Sequence, residues 1–482
     1  MKKVIALSAL IHAMLLTGCS QIPTYEKPQT ELPSSATWGS VKPNVPLSLV
    51  TDEKTWLQSL TGDQTLQTLI DEALLHNSDI ALARLNLEQA RLLLKQSQSS
   101  QFPELSGTSE LARTKTTGES PTAVGPSSVT FNNFTLGALL SYEVDLWGRV
   151  DALNQQAKAN FKATEADQQF VKLSVTTTVA QAYLNLMAFN QNVTIAENTV
   201  QSRQETLELR QTQLDYGSAT PLTLHQAQSE LAAVQIALHQ KQEQRDLQLH
   251  ALAVLVGKSP KALAEMATEN IKTQSLTQYN SLPVPKALPS DLLERRPDIA
   301  AMEQRLIAAN ANIGVAKAAL FPSISLSGLL GFQSESLSNL FKSDALTWNS
   351  SAAINAPIFD YGKRQSQVQI SEAQQQAMVI NYQQTIRTAF KEVLDALTQL
   401  EASAQQYEAQ QRQVVALNRI LELSQTRFDG GYSSYLEVLD AQRNLFSATL
   451  AEVSMKLNHS NALVNLYKAL GGNWEKEQAS KP

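Results

Sequence analysis

A single cysteine in 482 residues excludes an internal disulfide framework. No run of 18 or more apolar residues occurs, so a bilayer-spanning helix is not expected, and strands or an anchor remain as routes into a membrane. Basic residues are outnumbered by acidic ones, 39 to 45, and nucleic acid is not an expected partner. No glycine-rich phosphate loop is present. His76, His225, His239, His250 and His459 fall on helical stretches without metal-ligand spacing, and His12 lies in the leader; neither an enzyme nor a metal cofactor is expected. The most telling scarcity is local. Arg149–Leu214 runs for sixty-six residues without glycine or proline, and Lys363–Phe428 does so again.

Alanine, glutamine, leucine, glutamate and threonine fill these two stretches, a mix dominated by good helix formers. Each would be a rod about 100 Å long at 1.5 Å per residue. An average globular helix has only about 10–14 residues, so a compact domain could not contain such rods.

The N-terminus supplies an anchor. Lys2-Lys3, the apolar stretch Val4–Leu16 and Leu16-Thr17-Gly18-Cys19 read as a lipoprotein signal peptide over residues 1–18, with a covalent lipid on Cys19. The segment resembles a bacterial lipobox, and that resemblance implies, with Ser20 rather than Asp after the cysteine, passage to the outer membrane. Residues 19–61, with prolines at 23, 28, 33, 43 and 46, read as a lipidated, extended linker.

Beyond it the chain repeats a plan. A forty-residue helical stretch, Asp63–Phe102, ends at Pro103. Two strand-like pieces follow, separated by an exposed loop at 112–130. In the second piece Leu136, Ala138, Leu140, Tyr142 and Val144 alternate with Thr135, Gly137, Ser141, Glu143 and Asp145, Leu139 being the exception, which is strand periodicity. Then come the first rod, a break at Tyr216–Pro221 and a helix from Leu222 to Val256. Gly217 suits a helix C-terminus and Pro221 the first position of the next helix, giving a helical hairpin.

Asn77-Ser78-Asp79-Ile80 matches Arg296-Pro297-Asp298-Ile299 and Phe102-Pro103 matches Phe321-Pro322, both 219 positions apart. Past the loop the spacing is 214: Trp147-Gly148-Arg149 matches Tyr361-Gly362-Lys363, Ala227-Gln228 matches Ala441-Gln442, and Leu255-Val256-Gly257 matches Ala469-Leu470-Gly471. Ile324, Leu326, Leu330, Phe332, Trp348, Ile354 and Ile358 form the second apolar strand face. The first repeat spans 62–257 and the second 291–471. A mid-tunnel linker at 258–290 joins them, and 472–482 is a tail. Val193, Val200, Leu207 and Leu214, their counterparts Tyr407, Val414, Leu421 and Phe428, and Leu224, Leu231 and Leu238 on the returning helix keep a heptad period, the mark of a coiled-coil seam.

Strands of about ten residues match bilayer-crossing strands. An open sheet edge is not tolerable in lipid, and four strands cannot close a barrel. The barrel must be shared between chains: two copies fill their interior with side chains, whereas three copies, about twelve strands, leave a lumen. The fold class is therefore an α+β membrane protein, an internal duplication of helix–strand–strand–long helix–helix. As a trimer it makes a 12-stranded barrel continued by a long helical periplasmic tunnel.

Tyr142-Glu143-Val144-Asp145-Leu146-Trp147-Gly148-Arg149, Glu294-Arg295-Arg296-Pro297-Asp298-Ile299, Phe321-Pro322 and the Ala-Gln segments resemble hallmarks of the outer membrane factors. Cys19 and Tyr25-Glu26-Lys27-Pro28 make the chain similar to their lipoprotein efflux branch, the OprM-like NodT family, more than to TolC. The resemblance implies a homotrimeric exit duct that completes a tripartite efflux pump with a periplasmic adaptor and an inner-membrane transporter of RND type. It implies that the tips Gly217-Ser218-Ala219 and Gly431-Tyr432-Ser433 face the adaptor. It also implies that Leu436, Glu437 and Asp440 form a closure and selectivity ring at the periplasmic end; the counterparts Leu222, Thr223 and Gln226 carry no acid. Type I secretion and a structural outer-membrane lipoprotein without a pump are the other readings.

Overall fold

The computed structural model describes residues 20–28, 64–117, 128–259, 261–262, 265 and 296–472. Cys19, Glu294, Arg295 and most of the 258–290 linker lie outside them. The chain divides into two compact units, one holding Asn86–Glu165 and Ala301–Gln383 with the segment at 20–28, the other holding the chain before Asn86 from residue 64, Ala166–Ala300 and Gln384 onward.

The elements are α1 (Gln64–His76), α2 (Ser78–Ser99), β1 (Glu104–Lys115), β2 (Thr130–Val144), α3 (Arg149–Asp215), α4 (Pro221–Val256), α5 (Pro297–Ala318), β3 (Ser323–Ser334), β4 (Leu346–Asn355), α6 (Lys363–Asp429) and α7 (Tyr435–Ala469). The two glycine- and proline-free stretches are single helices of 67 residues each. The duplication holds to the residue: α2 and α5 both have 22 residues and begin 219 positions apart, and α3 and α6 begin 214 apart.

Three expectations are corrected, the third at the end of β4 below. The stretch Asp63–Phe102 is two helices, because the Asn77 side chain accepts from the amides of Asp79 (2.8 Å) and Ile80 (3.2 Å) and starts α2 afresh; an asparagine that caps competes with helix continuation. The loop at 112–130 is shorter than expected. Ala112–Lys115 pair with Asn133–Thr130, where Thr114, Thr130 and Phe131 suit a ladder.

In the first unit the strands form one antiparallel sheet in the order β1-β2-β3-β4. Its central seam joins the two repeats: Val144 faces Ile324, Tyr142 faces Leu326, Ala138 faces Leu330 and Leu136 faces Phe332. Side chains alternate between faces, so these pairs share one face with Leu105, Leu111, Leu346, Trp348 and Ile354. The other face carries Glu104, Ser141, Ser327, Ser351, Thr135 and Gln333. Within the chain much of the apolar face is bare: Leu105, Leu111, Leu330, Trp348 and Ile354 are all exposed. An uncovered apolar sheet face of this kind belongs against another apolar phase. β4 stops at Asn355, so Ile358 lies past the strand rather than in it.

The strands meet the rods at a fixed joint. Asp145 accepts from the amides of Val150 (3.0 Å) and Asp151 (2.8 Å) and caps α3, and Arg149 pairs with Glu143 at 2.7 Å through two nitrogens. The Trp147 ring stacks on Phe321 at 4.7 Å and donates to the Pro322 carbonyl at 2.7 Å. The segment 20–28 is laid along α5. Asn310 donates to the Pro23 carbonyl, Lys27 pairs with Glu303 at 3.1 Å, and Ile22 sits so close to Gly314 that a Cβ there would approach it to 2.6 Å. Burial, reinforced by Glu303, pushes the Tyr25 phenol up to about 12.

In the second unit the start of each repeat is pinned to the end of its hairpin. The Asn77 amide donates to the Leu255 carbonyl at 2.8 Å. In the second repeat the buried Arg296 donates to the Ala469 carbonyl at 2.8 Å and holds Asp298 (2.8 Å) and Glu392 (2.7 Å). Burial opposes the Arg296 charge, but the two carboxylates outweigh it and raise its pKa. Leu255 and Ala469 are themselves 214 positions apart. Gly257 and Gly471 both take positive φ at these junctions, 75° and 85°.

Candidate functional site

The heptad seam is real but is not wholly apolar. Val193, Leu224 and Leu231 are buried and Val200, Leu207 and Leu214 half-buried. Between them, at the interleaved positions, stand Arg203 and Arg210, both buried. Burial lowers the Arg203 pKa, with Glu230 opposing. The Arg210 guanidinium lies 4.7 Å from the Phe428 ring centre and 4.5 Å from that of Tyr435, and donates to Gln213 at 2.6 Å. A cation between aromatic faces is attracted by their quadrupoles. Hence the end of the first hairpin is fastened to the turn of the second.

The two tips have one backbone design. Gly217 donates to the Leu214 carbonyl and Ser218 to that of Gln213; Gly431 donates to Phe428 and Tyr432 to Arg427. Gly217 and Gly431 have φ of 75° and 79°, as a left-handed helix stop requires. Thr220 then caps α4 through its hydroxyl, with Pro221 in the first turn. Ala219 is half-buried, while Tyr216 and Tyr432 are exposed at the two ends. The Ser433 hydroxyl is buried without a hydrogen-bond partner in the chain.

Just past the second tip, α7 shows two faces. Tyr435, Val438 and Leu439 are buried against Leu421 and Phe428. Leu436, Glu437 and Asp440 are turned out; Leu436 is half exposed although apolar. The structure therefore brings these three onto one face, as the i, i+4 spacing of Leu436 and Asp440 requires. Their charges have counter-ions: Glu437 lies 3.4 Å from Arg427, and Asp440 lies 3.3 Å from Arg443. Arg443 in turn pairs with the buried Glu230 of α4, one contact being 2.8 Å from Nε, and that hydrogen bond raises the Arg443 pKa. Arg203, Arg210, Glu230 and Arg443 were not legible as site residues. The only sequence signal of Arg203 and Arg210 is a charge where a heptad wants an apolar side chain, and Glu230 and Arg443, which stand off the seam positions, carry none. Among the described residues no three His, Cys, Asp or Glu side chains gather as a metal site would, and no helix is long and apolar enough to cross a membrane.

A sheet with one bare apolar face, open at both edges and leading into helical hairpins far longer than a globular core needs, is the subunit of an outer-membrane channel. The family comparison agrees. A model described as outer membrane efflux protein matches residues 69–258 and 288–472, and the chain belongs to that family. Among curated relatives, the cation efflux system protein CusC of Escherichia coli is 34% identical over 469 residues, covering 96% of this chain and 97% of that one. The probable efflux pump outer membrane protein TtgC of Pseudomonas putida is 34% identical over 472 residues, 97% of this chain and 95% of that one. Among solved structures, the Campylobacter jejuni CmeC outer membrane channel superposes with a TM-score of 0.87 at 29% identity, covering 95% of this chain and 96% of that one. The open state of the Neisseria gonorrhoeae MtrE channel gives 0.81 at 29% identity over 95% and 99%. The chain shares their fold, in which strands join a trimeric barrel that a helical tunnel continues. It is an outer-membrane efflux channel subunit, with its helices on the periplasmic side.

Proposed function

We propose that three copies of this chain form the exit duct of a tripartite efflux pump, closed at the hairpin end by a ring of Leu436, Glu437 and Asp440. The observation that carries this is the turned-out acidic face at the start of α7, present in one hairpin of the chain and not in the other. Three chains bring six carboxylates to one aperture. Their mutual repulsion is offset by Arg427 and Arg443, and their summed field favours cations. Leu436 narrows the aperture. Gly217-Ser218-Ala219 and Gly431-Tyr432-Ser433 are the surfaces offered to a periplasmic adaptor, which couples the duct to an inner-membrane transporter of RND type. Cys19 carries lipid, and the packing of 20–28 along α5 supports an anchor held close to the strand–rod joint. No catalytic step and no cofactor beyond that lipid is assigned.

The relatives' names describe cation efflux and toluene efflux, so cargo is either organic or cationic. Deleting the protein and measuring accumulation of a panel of dyes, antibiotics and metal cations tests the duct. Accumulation should rise for at least one class and return on complementation. Unchanged accumulation across the panel would sink the reading. In the protein itself, Cys19→Ser should abolish fatty-acid labelling and reduce efflux only in part, because the barrel still inserts; retained labelling would refute the anchor.

A further inference from the structure

The apolar face of the sheet has a definite height. On β2 it runs through alternate residues from Val144 to Phe134. Ten residues of strand measure about 34 Å. At the tilt of about 35–45° usual in such barrels they climb about 25 Å, the height of a barrel's apolar band. The band therefore closes at the pair Leu111↔Phe134. β1 and β2 do not stop there. On the same face, and further from the rods, Arg113 stands opposite Asn132 and Lys115 opposite Thr130. Alternation puts both cations on the side of Leu105 and Leu111, facing out of the barrel rather than into its lumen. With the rods on the periplasmic side, this end lies at the outer leaflet.

Both cations are exposed, and neither side chain has a hydrogen bond or ion pair among the described residues. Glu110, the acid nearest along β1, points to the other face. The opposite end of the strands differs, for there Arg149 is paired with Glu143 and Arg364 with Asp360, at 2.7 and 2.9 Å. The second hairpin repeats the order of apolar band and then cation with other residues. Its turn folds onto the outward face, because the Phe341 ring meets that of Phe332 at 5.7 Å and Phe332 stands opposite Leu136 there. Leu337 and Phe341 are exposed in that turn, and the exposed Lys342 follows them.

We propose that Arg113 and Lys115 bind the phosphate of an anionic lipid headgroup in the outer leaflet, with Phe341 and Leu337 seated in acyl chain and Lys342 as a further contact. Depth decides in favour of this. A cation facing lipid is costly at mid-bilayer and cheap at the interface, and two to four residues past the band is where headgroups begin. Charge decides the class of lipid. Guanidinium and ammonium groups attract phosphate, the guanidinium through two parallel hydrogen bonds. Their aliphatic stems meanwhile lie along the apolar surface below. The strand pair thus offers acyl chain and phosphate one continuous surface. This inference goes beyond the duct and needs only the sheet in the membrane, not the closure ring at the far end.

Titration of the purified full-length protein in detergent, read by native mass spectrometry, tests it. The probes are a glycolipid bearing two phosphates (lipid A), its dephosphorylated form and inorganic pyrophosphate. Lipid A should bind at least about tenfold more tightly than the dephosphorylated form, and its affinity should fall as salt rises. Arg113→Gln and Lys115→Gln should each weaken it about fivefold, and the pair about twenty-five-fold, as two cations near an anionic surface require. Lys158→Gln with Lys162→Gln, the same charge change on α3, should leave it unchanged. Light scattering must find the wild-type oligomer in each variant; should the double variant fail to assemble, the single variants and the salt dependence decide. Equal binding of the dephosphorylated lipid, or none of either, overturns the proposal. So does wild-type affinity in the variants that assemble. Pyrophosphate that competes as well as lipid A would make the site one for free anions and overturn the membrane assignment.

Discussion

The two repeats have the same backbone and opposite situations. The long rods, the strand register and the tip hydrogen bonds correspond, yet side chains diverge where the repeats face different neighbours. Asn77 pins the first repeat with a neutral amide, and Arg296 pins the second with a guanidinium and two carboxylates. At interleaved heptad positions the first rod buries Arg203 and Arg210; the second has Leu417 and Ser424 there. At the tips the first returning helix offers Leu222, Thr223 and Gln226, the second Leu436, Glu437 and Asp440. Duplication thus supplies the scaffold, and asymmetry between the copies supplies the fastening and the charge.

Substitutions at equivalent positions sharpen this contrast. The largest effect is expected at Arg296. Arg296→Ala removes a buried guanidinium with its bonds to Asp298, Glu392 and the Ala469 carbonyl, a loss of about 2–3 kcal/mol as for hydrogen bonds to charged groups, since both carboxylates keep access to water. Asn77→Ala removes a neutral cap and one further bond, about 1–2 kcal/mol. Thermal unfolding of detergent-extracted protein should rank them in that order, and equal losses would break the contrast. The glycines come next. At Gly257 a Cβ would clash with the His76 carbonyl as well as needing positive φ, whereas at Gly217 nothing lies within 4 Å. Gly217→Ala should cost about 1 kcal/mol for φ alone, and Gly257→Ala clearly more.

Arg443→Ala leaves Glu230 buried without its cation. It should destabilise the hairpin end and raise resting conductance, and adding Glu230→Gln should recover part of the stability, since the unpaired charge is then gone. No recovery would mean that the ion pair is not what joins α4 to α7. The smallest effect is at His459, whose ring lies 3.2 Å from the Ser403 hydroxyl. Burial lowers its pKa below 6.5 despite a backbone contact from Leu400. The fold therefore holds it neutral, while the unfolded chain takes up a proton as pH drops through about 6.5. Stability from this group is full above that pH and declines below it. His459→Gln should flatten the decline seen in pH-dependent melting; an unchanged slope would place its origin elsewhere.

Much of the architecture was legible because periodicity is a strong signal in long elements. Both rods, both turns and the duplication could be read from glycine and proline positions and the 219 and 214 spacings. The break at Asn77 was not, because a helix stop made by one side chain leaves no gap in composition. The strand extension through Ala112–Lys115 was not legible either, because Ala-Arg-Thr-Lys opposite Thr-Phe-Asn-Asn carries no apolar alternation to mark a strand. At the hairpin end, Leu436, Glu437 and Asp440 could be placed on one face by spacing alone. Of their counter-ions, Arg443 follows Asp440 by three positions on the same helix, whereas Arg427 sits across a turn; the Glu230 that holds Arg443 belongs to the other hairpin, 213 positions away, and no spacing announces it.

The difference between the hairpins is tested most directly in planar bilayers with purified protein. The wild type should prefer cations and be blocked by multivalent cations, and Glu437→Ala with Asp440→Ala should lose most of both properties. The matched change in the other hairpin, Thr223→Ala with Gln226→Ala, should leave both unchanged. Wild-type selectivity and block in the acid-free variant would contradict the assignment of closure and charge to the second hairpin.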